Sequence, residues 1–279
     1  MKVWAHSLVC NEERYVWYAI MGVIDYVDKI LIWDTGSDDS TVEIIKEIEK
    51  SRPGKVLFRQ VGKVSPDRFT KVRQEMLDET KSDWFLLIDG DEVWWDDSIK
   101  KVVRTIQKEG DLLESIANRY YNIVGDIYHY QEETAGRYEI DGRRGHLTIR
   151  AMSRNIPGLH IAKPHGQQGF FDRNKTLIQE RPKKSRKFLD VPYLHLTHLP
   201  RSSSKEKDLK VPKRNIKLKH ELGISFPSDF YYPEVFFRSR PLMVPSPWEK
   251  MDKSFLFKAA LLTVPRKIKR RLIKGSSGY

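Results

Sequence analysis

Cysteine is nearly missing from this chain of 279 residues. Cys10 stands alone, so no disulfide can form within the chain. A lone thiol suits a reducing compartment, and the cytoplasm is the expected location. Long apolar runs are missing too: nothing approaches the roughly 18 apolar residues of a membrane-spanning helix. Met1-Lys2-Val3-Trp4 enters strand-like sequence directly and lacks the pattern of a signal peptide. The loop after the first apolar run, Cys10-Asn11-Glu12-Glu13, has no glycine and carries acids. A nucleotidyltransferase, the first rival reading, would favour a Gly-rich basic loop there to hold a triphosphate. No internal repeat and no RNA- or DNA-binding motif is present. A basic nucleic-acid-binding protein is therefore the weaker rival, and nucleic acid is not an expected partner.

What the chain does have is an uneven charge. Its net +12 lies in residues 201–279, which hold 19 Lys and Arg against 7 Asp and Glu; the first 200 residues balance. This break predicts a main domain over 1–200 and a basic extension over 201–279. In the main domain, largely apolar runs at 3–9, 29–33, 56–58 and 84–88, the last the most uniform, predict strands covered on both faces. Helical spacing separates them: 11–20 with Asn11 as N-cap, a stretch from Thr41, 68–80, and then 97–108. Strands alternating with helices imply crossover units and a mostly parallel sheet, an α/β fold. Longer twisted strands are expected at 116–130 and 146–152, and a helix-like basic segment at 204–222.

In such sheets ligands bind beyond the carboxyl ends of the strands. That rule selects the loops at 10–13, 34–40 and 89–92. Asp89 and Asp91 are two apart at the end of the fourth run, so their side chains share a side. Gly90 between them leaves room for a ligand against the backbone. Two carboxylates so placed repel one another unless a cation lies between them. Mg²⁺ or Mn²⁺, which take oxygen ligands and are shared with substrate phosphates, would fit.

Four motifs in order resemble the family 2 glycosyltransferases with the GT-A fold. They are the opening strand with Asn11-Glu12-Glu13; Asp34-Thr35-Gly36-Ser37-Asp38-Asp39-Ser40-Thr41; Arg73 in the helix before the fourth strand; and Asp83 through Glu92, ending Asp89-Gly90-Asp91-Glu92 where a branch of the family has Asp-Ala-Asp-Glu. The resemblance implies a nucleoside diphosphate sugar donor, UDP- or GDP-linked, a divalent metal, and inverting transfer to a hydroxyl of a glycan or lipid-linked acceptor, as in envelope glycan assembly. It implies that Asp34 bonds the base, with Gly36 in the same loop, and that Val9, Asn11 and Glu12 lie beside the nucleoside. Arg73 would lie near the nucleotide, Asp89 at ribose or metal, and Asp91 on the metal. Ser40 and Thr41 are expected to cap a helix.

The family's late metal-ligand histidine points to His195, on the strand face opposite His198. Its catalytic base falls in a window where Leu159 to Gly166 resembles a His-Glu variant, with Gly166 at the Glu position. His165 is then the first candidate base and Asp172 the nearest carboxylate; Glu139 and Asp141 are further options. Finally, residues 248–274 interleave apolar residues with Lys and Arg. That is the pattern of a helix lying on an anionic membrane surface, which Pro265 should kink or split.

Overall fold

The computed structural model describes residues 1–164 and 167–272. The chain begins with strand β1 (Val3–Val9), helix α1 (Val16–Met21), β2 (Lys29–Asp34), α2 (Thr41–Ser51), β3 (Val56–Gln60), α3 (Pro66–Glu79) and β4 (Trp84–Leu87). The strands lie in the order β3-β2-β1-β4 and are all parallel. Alternation along β2 shows why its middle, Ile30 to Trp33, is apolar without a break. Ile30 and Ile32 pack with Ile44, Ile45 and Ile48 of α2 on one face. Leu31 and Trp33 pack with Val72 and Met76 of α3 on the other. Each such side chain, fully buried, contributes about 1.5–3 kcal/mol. After β3 the chain crosses back to place β4 beside β1. The strand order therefore reverses between β1 and β4, and a crevice opens at their carboxyl ends.

The second half continues with β5 (Glu92–Trp94), α4 (Asp96–Glu109), β6 (Ser115–Arg119), β7 (Tyr121–Val124), β8 (Asp126–Tyr130), β9 (Tyr138–Ile140), β10 (Arg143–Gly145), β11 (Leu147–Ser153), β12 (His160–Ala162), β13 (Gly169–Phe171), β14 (Arg186–Leu189) and β15 (Tyr193–His195). β11 runs antiparallel between β4 and β6, and β14 completes a seven-stranded sheet. Then come α5 (Lys205–Lys210), α6 (Arg214–Lys217), β16 (Ile224–Ser225) and α7 (Lys253–Leu272). β16, β8, β7, β15 and β5 form a second sheet, in which His195 pairs with Glu92. The α/β class with a mostly parallel sheet is as the sequence implied.

Several local expectations are corrected. Asn11 does not cap a helix: it holds a left-handed φ of 52°, and α1 starts only at Val16. Residues 116–130 form three short strands, interrupted at Tyr120 and at Gly125. Gly125 has a φ of 81°, and a Cβ there would lie 2.4 Å from Met251 Sδ. The 204–222 stretch is two short helices parted by Val211-Pro212-Lys213, since proline has no N–H to continue the first. Conversely, α7 runs through Pro265 without breaking. Pro265 and Leu261, whose carbonyl loses its helical donor, are both exposed, so water can satisfy that carbonyl.

Candidate active site

A cavity of about 340 Å³ opens at the β1/β4 reversal. Val9 and Glu12 line it from the end of β1, Asp89 and Asp91 from beyond β4, Arg73 from α3 and His195 from β15. Six positions proposed from the sequence thus meet in one place. Gly90 makes this approach possible: a Cβ there would lie 2.9 Å from Glu12 Cγ and 3.1 Å from Val9 Cγ1.

The acids do not face one another across empty space; arginines stand between them. Asp89 accepts from Arg73 Nη2 at 3.1 Å and from Arg150 Nη2 at 3.2 Å. Arg150, from β11, also touches Glu92. Asp91 accepts from Arg201 Nη1 at 2.7 Å, and the same nitrogen lies 3.0 Å from Glu12 Oε1. Glu12 Oε1 also takes a bond from Arg214 Nη2 at 2.6 Å, and Arg214 reaches Asp208 at 3.1 Å. Lys217 lines the cavity beside them. Glu12 Oε2 and the Nε atoms of Arg73 and Arg201 are buried without a partner among the described residues. Buried polar atoms without partners are costly, and a polar ligand in the cavity would relieve that cost.

The second expected loop supports this site from behind. Asp34 is buried and accepts from the amides of Gly36 at 3.0 Å and Ser37 at 3.2 Å. Thr35, rather than Asp34, lines the cavity. Gly36 has a φ of 96°, and a Cβ there would press on Lys63 at 2.8 Å. The Asn11 side chain exchanges hydrogen bonds with Asp38, donating from Nδ2 at 3.0 Å and accepting its amide at 2.9 Å. Asn11 and Gly36 also stand outside the lining. The capping role expected of Ser40 and Thr41 falls to Asp39, which accepts from the Thr41 amide at 3.0 Å. Thr41 Oγ1 instead accepts from the Glu12 amide, fixing that residue.

Burial and charge set the protonation of these groups. Burial works to raise Asp89, but Arg150 and Arg73 outweigh it and hold the carboxyl well below the usual range. Burial lifts Glu12 to about 7 against Arg201 and Arg214, and lifts Glu92 to about 8 against Arg150. A neutral Glu92 leaves the Arg150 charge to Asp89. Burial lowers His195 to about 4, so its imidazole is neutral at pH 7 although Asp91 opposes the shift. A carboxyl held above its unfolded value favours the fold at low pH and loses that stability as pH rises to the folded value. Glu12 and Glu92 thus cost the fold stability from about pH 4.5 to about 8, buried histidines such as His195 act in the opposite sense below about pH 6.5, and Glu92→Gln should gain melting temperature relative to the wild type as pH rises. A thermal melt series across this range checks it.

A divalent ion at this rim would have to take part of its ligand set from a bound substrate. His195 Nε2 lies 3.7 Å from Asp91 Oδ2, too far for a hydrogen bond, and His195 Nδ1 has no partner among the described residues. Among those residues no group of three or more His, Cys, Asp or Glu is placed to cage a metal. Two protein ligands with the rest from phosphate oxygens is the habit of Mg²⁺-type ions.

Of the candidate bases, Glu139 also lines the cavity, and the other described candidates do not. Asp141 is held by Arg186 at 2.6 and 2.8 Å. Asp172 pairs with Arg181 and accepts from the amides of Asn174 and Thr176, which tie its loop. Neither lines the cavity; both serve their loops. His165 and Gly166 lie outside the described residues. His198 is structural, bonded to the Lys217 carbonyl at 2.6 Å and to Asn122 at 3.1 Å. The sequence reading missed Arg150, Arg201, Arg214 and Lys217. The last three follow residue 200, so the segment set apart as an extension forms one wall of this cavity.

The profile of glycosyl transferase family 2 matches residues 8–174. A search of curated proteins gave no match. Among solved structures, S. aureus TarS is similar at 14% identity, with 74% of this chain and 38% of that one covered and a TM-score of 0.46. Glucosyl-3-phosphoglycerate synthase from Mycobacterium tuberculosis, in complex with Mn²⁺, UDP and glucosyl-3-phosphoglycerate, is 16% identical over 70% of this chain and 72% of its own, with a TM-score of 0.44. Mannosyltransferase PcManGT from Pyrobaculum calidifontis, in complex with GDP-Man and Mn²⁺, is 16% identical over 56% and 45%, with a TM-score of 0.39. This chain covers 39% and 61% of two TarS 1–349 structures. Because the family profile takes in more than half of the sequence and spans both rim aspartates, the chain belongs to glycosyl transferase family 2.

Proposed function

We propose that the cavity transfers a sugar from a UDP- or GDP-linked donor to a hydroxyl of a glycan or lipid-linked acceptor, with inversion and with Mg²⁺ or Mn²⁺. The observation that carries this reading is the array of cations, Arg73, Arg150, Arg201, Arg214 and Lys217, around the Asp89-Gly90-Asp91 rim at the sheet's switch point. A nucleoside diphosphate leaves with growing negative charge, and pre-placed cations stabilise that charge without reorganising. Asp91 and His195, with Asp89 beside them, would hold the metal ion, which when bound supplies further positive charge to the diphosphate.

In a single displacement the acceptor oxygen bonds to the anomeric carbon as the bond to the diphosphate breaks, and a base takes the hydroxyl proton. Four carboxylates line the cavity: Glu12, Asp89, Asp91 and Glu139. The first three are engaged by arginines. Glu139, on β9, makes no ion pair among the described residues, which supports it as the base over Asp141 and Asp172. Incubation with a panel of UDP- and GDP-sugars and Mn²⁺ should release free nucleoside diphosphate from one donor class, accelerated by a polyol or glycan acceptor. Release from none of them would remove this reading.

A further inference from the structure

We propose that α7 is an interfacial helix that docks this protein on an anionic lipid surface through an apolar stripe facing away from the body. Phe257, Leu261, Val264, Ile268 and Leu272 recur at helical spacing and so share one face. Each is between 51 and 78% exposed. The opposite face holds the helix to the protein. Ala259 and Thr263 are buried there, Thr263 Oγ1 accepts from the Leu222 amide at 2.7 Å, and Arg270 pairs with Glu221 and Glu132. The helix is thus fixed in rotation, and its outward stripe is not the side it uses to pack. A folded chain seldom leaves so continuous an apolar face in water unless something covers it.

Charge identifies the occupant. The described helix contains seven Lys and Arg and no acid. Lys258 and Lys269 flank one edge of the stripe, and Lys253 and Arg271 the other. A second copy docked stripe to stripe would bring these like charges together, whereas anionic headgroups would meet them with the opposite sign. No helix among the described residues is long and apolar enough to cross a bilayer, so the helix lies in the interface. Ile273 and Lys274, counted in the sequence pattern, lie outside the described residues.

The test is co-sedimentation of the full chain with vesicles of phosphatidylcholine plus phosphatidylglycerol and with vesicles of phosphatidylcholine alone. Binding should require the anionic lipid and fade with salt. Lys258→Gln with Lys269→Gln should weaken it about 30-fold, from about fivefold for each cation near such a surface. Phe257→Ser with Leu261→Ser and Ile268→Ser should abolish it. These positions are exposed, so an unchanged melting temperature certifies the fold of each variant. Equal binding to neutral vesicles, no binding to either, or a concentration-dependent dimer lost in the serine variant would each overturn the proposal. The readout is independent of glycosyl transfer, so it stands or falls separately from the donor reading.

Discussion

Asp91→Asn should lower turnover of the preferred nucleotide sugar by about 10²–10³-fold, the scale of losing one pre-placed electrostatic contact to a leaving group. The substitution keeps the size and shape of the side chain and removes its charge. Arg201 then retains Glu12 as partner at 3.0 Å, so no buried guanidinium is left wholly unpaired. That matters because stripping a buried ion pair of one partner costs about 3–5 kcal/mol. An alanine in the same place would mix lost chemistry with lost stability; asparagine separates them. Circular dichroism should show the native fold. The kinetic deficit should not be recovered by raising Mn²⁺, because the ligand itself is missing. Full activity in Asp91→Asn would mean that the cations around the rim suffice and that Asp91 serves only to hold Arg201.

Glu139→Gln should lower kcat by about 10²–10⁴-fold, the usual contribution of a positioned general base, while KM for the donor stays within a few-fold. Glu139 lies on the short β9–β10 hairpin, lines the cavity and is exposed. Its loss should therefore leave the melting temperature unchanged. A variant with unaltered kcat would take the role from Glu139 and return it to His165. Asp141→Asn and Asp172→Asn should instead lower stability, since each loses an arginine partner.

The first hundred residues were readable because each element there announces itself locally. Two-sided burial makes β4 apolar at every position and β1 and β2 largely so, and the strand-end rule then points to Glu12, Asp89 and Asp91. The arginine cage was not readable, because its parts come from far along the chain. Arg150 meets Asp89 across 61 residues, and Arg201 meets Asp91 across 110. No periodicity marks either, and the basic excess that includes Arg201, Arg214 and Lys217 looked like a separate segment. The charge break was real, but part of it is spent at the cavity on Glu12 and Asp91, and beside it on Asp208. The same distance effect bears on Asp172: it was named from the sequence window as the carboxylate nearest His165, and the fold pairs it with Arg181. Asn11 shows the opposite error, a polar residue assigned to its own helix when its partner is Asp38 of the neighbouring loop.

Central to this account is a nucleoside diphosphate held at the β4 rim with help from a divalent ion. Calorimetric titration of the purified protein with UDP and with GDP, each with and without Mn²⁺, measures that directly. One of the two nucleotides should bind, at least tenfold more tightly with the metal present, and Asp91→Asn should erase the difference. Affinity that is the same with and without Mn²⁺, or the same in the wild type and in Asp91→Asn, would contradict it.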